Sequence, residues 1–145
     1  MSKACWRDLR PYKYQLVDDY QLTVSLHPPT DIATGFVGLT TGGLITIRKG
    51  YAWDGPSGPT IDTKNFMRGS LVHDALYQLM RVSQLDYREH RKAADEILKR
   101  ICMEDGMSGF RAGYSYLALR WFGESHAKPR AEVPDEVACM PESGT

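Results

Sequence analysis

Charge of one sign is nowhere concentrated in this chain. Its eighteen basic residues balance its eighteen acidic ones, and the densest basic cluster, Arg88 to Arg91, is modest. A nucleic-acid binder needs a basic patch as its electrostatic footprint, so no nucleic acid is expected as a partner, and anionic membranes are disfavoured. Cysteine is scarce as well. Cys5, Cys102 and Cys139 are an odd number with no short spacing, which excludes a disulfide framework and a zinc pattern. A reducing compartment is expected, with Cys102 as a small core residue of an amphipathic helix. Long hydrophobic runs are missing too. No segment approaches the ~20 apolar residues of a membrane span, and Met1 to Trp6 lacks the apolar run of a signal peptide, so a cytoplasmic protein with no transmembrane segment is expected. No internal repeat is visible.

What is present suits one ordinary domain. A chain of 145 residues buries roughly two thirds of its extended surface on folding. From Tyr12 to Leu16, and again from Leu22 to Leu26, apolar and polar residues alternate, as in half-buried strands. His27-Pro28-Pro29 ends the second, since proline cannot donate to a ladder. Phe36 to Leu39 and Leu44 to Ile47 flank Gly42-Gly43, a tight-hairpin signal, and the second of these strands is expected to continue through Tyr51 to Trp53. From Phe66 the period becomes helical. A first helix bears Phe66, Leu71, Val72, Ala75, Leu76, Leu79 and Met80 on one face. A second spans about Tyr87 to Met103, ended by Gly106. A third runs from an N-cap at Ser108 to Phe122, with Phe110, Tyr114, Leu117, Trp121 and Phe122 as its apolar residues; Trp121 and Phe122 are expected in the core. The expected fold is α+β, a small antiparallel β-sheet from the N-terminal third packed against about three α-helices. Residues 1–125 form the single domain, and residues 126–145 form a C-terminal tail that is flexible or ordered by a partner.

The chemistry gathers around one stretch. Asp54-Gly55-Pro56-Ser57-Gly58-Pro59 is too rich in glycine and proline for regular structure, and it leads into the helix carrying His73-Asp74-Ala75-Leu76-Tyr77. Residues four apart share a helix face, whereas neighbours point about 100° apart. His73 and Tyr77 therefore face one way and Asp74 another. An imidazole is the usual general base near neutral pH, and a carboxylate that holds its tautomer improves it; Asp95, on the next helix, is the candidate. Asp74 is then free to join Asp54 and the loop oxygens of Gly55, Ser57 and Gly58 around a hard cation such as Ca2+ or another divalent ion. Such a cation polarises a carbonyl and stabilises the oxyanion formed when water attacks. No organic cofactor is expected. Plainer readings of the same residues stay open: a satisfied core histidine, a sheet-to-helix connector, and a surface ion pair of Asp95 with Arg91 or Lys99.

The segments Lys49 to Pro59, His73 to Tyr77, Arg91 to Asp95 and Tyr116 to Gly123, in that order, resemble a widespread family of small phage and prophage proteins of unknown function, over roughly residues 12–123. The resemblance implies a phage or prophage origin, and with it the bacterial host cytoplasm or the virion as location. It carries no activity. A weaker similarity, in the order of loop, His-Asp-x-x-Tyr helix and later Asp, is to the calcium-dependent phospholipases of type A-two. That similarity implies His73 as general base, Asp95 as its orienting carboxylate, Tyr77 as a brace for Asp95, and Asp74 with the loop as calcium ligands. The chain departs from it in having no cysteine near His73 and a proline-rich loop. The function expected is metal-assisted hydrolysis of an ester or amide. The alternative is a non-enzymatic accessory protein, a virion or tail component or a binder of another phage or host protein through the tail, in which the His-Asp-Tyr cluster is structural.

Overall fold

The computed structural model describes residues 4–8, 14–54 and 64–129. These fall into two compact units, one of strands up to Asp54 and one of helices from Lys64. The fold is α+β, with strands and helices segregated along the chain as the change of period implies. Among the described residues, no helix is long and apolar enough to cross a membrane.

The strand unit contains β1 (Trp6–Asp8), β2 (Tyr14–Leu16), β3 (Tyr20–Thr23), β4 (Ile32–Ala33), β5 (Val37–Leu39), β6 (Leu44–Ile47) and β7 (Ala52–Trp53). All pairings are antiparallel, but they make two small sheets, in the orders β1-β2-β7 and β3-β6-β5-β4. The expected continuous strand from Leu44 to Trp53 is broken by a turn. Gly50 takes a positive φ of 99°, and the Tyr51 amide folds back onto the Arg48 carbonyl at 3.1 Å. Glycine adopts that conformation without a Cβ penalty. Alternation then works as the pattern implies: Tyr20 faces Ile47 across the ladder, and both side chains are completely buried together with Ile45. The hairpin at Gly42-Gly43 forms, but only Gly43 has positive φ, at 93°. A Cβ on Gly43 would lie 2.3 Å from the Val24 carbonyl oxygen, so the residue is required both for its φ and for close approach.

The helical unit contains α1 (Lys64–Arg81), α2 (Tyr87–Glu104), α3 (Gly109–Phe122) and the short α4 (Glu124–Ala127). Asp86 caps α2 by accepting from the Arg88 amide, and Ser108 caps α3 by accepting from the Arg111 amide, satisfying donors that a helix start leaves unpaired. Gly106, at φ 102°, follows α2 as anticipated. The close passage of α1 over α2 depends on Gly69, where a Cβ would lie 2.8 Å from both Cys102 Sγ and Leu98 Cδ1. Below this crossing, Phe66, Leu98, Cys102, Met107 and Ala112 form an apolar cluster. Burial raises the Cys102 thiol to about 12, which keeps it protonated and inert. The ordered helical unit extends past residue 125: Ala127 of α4 is fully buried, and Arg81 donates to the His126 carbonyl at 3.0 Å. Residues 130–145, the rest of the expected tail, lie outside the described residues.

One expectation is reversed in α3. Trp121 and Phe122 are not in the core; they are 72% and 73% exposed, and Phe110, Tyr114 and Leu117 are exposed with them. The side that α3 turns inward carries Ala112 and Ser115, both buried. Small residues let two helix axes approach closely, so the bulky stripe is left outside.

Candidate functional site

The site is built on α1 and α2 from side chains that the helical period brings to one place. His73 and Tyr77 lie one turn apart on α1, with ring centroids 4.1 Å apart. Asp95 projects from α2 and is completely buried. Its Oδ1 accepts two hydrogen bonds, from His73 Nε2 at 2.8 Å and from the Tyr77 hydroxyl at 2.6 Å. Its Oδ2 accepts from Arg120 Nη1 of α3 at 2.9 Å, and Arg91 Nη1 stands 3.8 Å away. Arg91 itself is anchored on α3, donating to the carbonyls of Leu119 and Arg120 at 2.9 and 3.2 Å. The end of α3 reaches this point because Gly123 has no side chain, since a Cβ there would stand 3.0 Å from the Tyr77 hydroxyl oxygen.

The electrostatics follow from this arrangement. Burial alone raises the Asp95 carboxyl, because it disfavours the charged form. The hydrogen bond and charge of His73, with the hydrogen bonds of Tyr77 and Arg120, together outweigh burial and hold Asp95 below the usual carboxylate range. Burial, followed by the charge and hydrogen bond of Asp95, pushes the Tyr77 phenol well above its ordinary value against the opposing influence of Arg91. Tyr77 therefore remains a donor. With Asp95 ionised, a neutral His73 carries its hydrogen on Nε2, and its lone pair lies on Nδ1. Among the described residues, Nδ1 has no hydrogen-bond partner, and the His73 side chain keeps 12% of its surface exposed. The arrangement is an oriented imidazole whose second nitrogen has no partner among the described residues.

Of the residues singled out from the sequence, the structure brings together His73, Tyr77 and Asp95. Asp74 points elsewhere on α1, with its side chain 35% exposed and its carboxylate 3.8 Å from Arg81 Nη2. Asp54 is exposed at the end of the strand unit. Gly55, Ser57 and Gly58 lie outside the described residues. Among the described residues, no three histidine, cysteine, aspartate or glutamate side chains cluster as a metal group. Asp95 does pair with Arg91 one turn before it, at 3.8 Å, but as a buried carboxylate and not at the surface, while Lys99 sits over the Tyr116 ring at 5.6 Å. Arg120 was not visible as a site residue. The one hint is a cation set among Leu117, Leu119, Trp121 and Phe122, where a partner is needed if the side chain turns inward. Compared with protein-family models, with curated proteins and with solved structures, the chain finds no match.

Proposed function

We propose that this chain is a phage or prophage protein that hydrolyses an ester or amide with His73 as general base. The observation that carries this reading is the 2.8 Å hydrogen bond from His73 Nε2 to a fully buried Asp95, with Nδ1 left unpartnered among the described residues. In the reaction, Nδ1 takes a proton from water as the water oxygen attacks the substrate carbonyl carbon, and the imidazolium then returns that proton to the departing alkoxide or amine. Asp95 holds the ring in the required tautomer, and Tyr77 and Arg120 hold Asp95. A divalent cation of the calcium type, when bound, supplies polarisation of the carbonyl. Of the described residues Asp74 is the side chain that would hold it.

A second reading is favoured by Arg120 and Arg91, which tie α3 to α2 through Asp95 and two carbonyls. In that reading the cluster is a structural hub of a non-enzymatic accessory protein that binds another phage or host protein through residues 126–145. Turnover of nitrophenyl esters and nitroanilide amides, with and without calcium, separates the two. For the hydrolase, His73→Asn lowers turnover by a factor of about 10² to 10⁴ with a smaller change in Tm, and calcium raises the Tm of the wild type but not of Asp74→Ala. No turnover by the wild type, together with full stability loss in Asp95→Ala, decides for the hub.

A further inference from the structure

We infer that the outer face of α3 is a self-association surface that closes on the same face of a second copy of this chain. The large apolar side chains that the described residues expose are Met103, Phe110, Tyr114, Leu117, Trp121 and Phe122, all on α3 or on the turn of α2 nearest it. Scattered exposed apolar residues are ordinary, but a set confined to one element marks an interaction site. Phe110, Tyr114, Leu117 and Trp121 follow each other at intervals of four, three and four residues, the spacing of a seam between two helices. At 100° per residue they lie within a sector of about 60°.

The area fits a copy of the same surface. The three aromatic side chains of the seam, Phe110, Tyr114 and Trp121, are 60% to 88% exposed and present on the order of 400 Å² at about 150–250 Å² each. Leu117, Met103 and Phe122, which lies beside the seam and meets Trp121 edge-on, bring the patch toward the ~800 Å² per partner of a standard stable interface. A twofold axis joins a patch to itself, and an antiparallel crossing also opposes the two helix dipoles. The charges agree with that orientation. Arg111 and Arg120 flank the stripe on opposite sides, and α3 carries no acidic residue. In an antiparallel pair each flank faces the same flank of the partner. With the axis midway along the stripe, Arg111 then comes between Ala118 and Phe122 of the other copy and Arg120 between Gly109 and Gly113, so no arginine opposes another. Arg120 is in any case drawn inward to Asp95. This inference does not depend on the hydrolase reading.

Sedimentation equilibrium of the full chain from about 1 to 100 µM, a range that brackets micromolar affinity, tests it. The wild type should approach twice the mass of one chain. Leu117→Glu and Phe110→Glu should each raise the dissociation constant at least tenfold, with unchanged helical circular dichroism. Phe110 is the safer variant for folding, being 88% exposed. A wild type that stays monomeric throughout overturns the inference, and so does a dimer that neither substitution weakens. Binding of monomer to phosphatidylcholine and phosphatidylglycerol vesicles, lost in Phe110→Glu, would assign the face to lipid instead.

Discussion

The two units of this chain use their polar side chains in different proportions for the backbone and for one another. In the strand unit most of their described hydrogen bonds run to the backbone, the Gln21–Thr46 side-chain pair being an exception. Asp19 accepts from the Lys49 amide at 2.7 Å, Asp31 from the Thr41 amide at 2.8 Å, and Gln15 donates to the Gly50 carbonyl at 3.2 Å. Short strands leave many main-chain groups without ladder partners, and side chains at the turns make up the difference. In the helical unit the main chain satisfies itself except at the ends. Polar residues there are free to meet one another, and around Asp95 they do, with imidazole, phenol and guanidinium on one buried carboxylate. A buried polar group that the backbone does not need is the stronger functional signal, and it directs attention to His73 rather than to the several polar turns before it.

The largest effect expected from breaking this contrast is in the helical unit. Asp95→Ala leaves Arg120 and the His73 and Tyr77 donors facing a void, and removing one partner of a buried ion pair costs about 3–5 kcal/mol. Urea denaturation should show that loss. In the strand unit the vulnerable element is a turn. Gly43→Ala places a Cβ 2.3 Å from the Val24 carbonyl oxygen at a positive φ, and should cost about 1–3 kcal/mol, strain of the size stored in unfavourable backbone regions. Asp31→Ala, which removes a single exposed hydrogen bond to the Thr41 amide, should cost about 0.5–1.5 kcal/mol in the same assay.

Acid sharpens the comparison. Asp95 is held below the ordinary carboxylate range, so its contribution is complete above the unfolded value of about 3.9 and is lost as pH falls through its lower folded value. Denaturation midpoints of the wild type should therefore drop in that acid window, and Asp95→Asn should flatten that part of the profile. An Asp95→Asn profile as steep as the wild type would remove Asp95 from the explanation.

The sequence by itself determined the class, because periods of two and of 3.6 residues encode which side of each segment is apolar. It also determined that His73 and Tyr77 share a face, a matter of helix geometry alone, and that Ser108 and Gly106 bound their helices. It suggested Asp95 as their partner without establishing contact. Only the tertiary structure decided that Asp95 is buried, that Arg120 comes from α3 to reach it, and that the strand expected from Leu44 to Trp53 breaks at Gly50. It also turned the bulky stripe of α3 outward. Local pattern says how apolar a helix face is, but not which face packs. In α3 the small residues Ala112 and Ser115 win the buried side, since close approach of two helices depends on shape, and shape is a property of both partners.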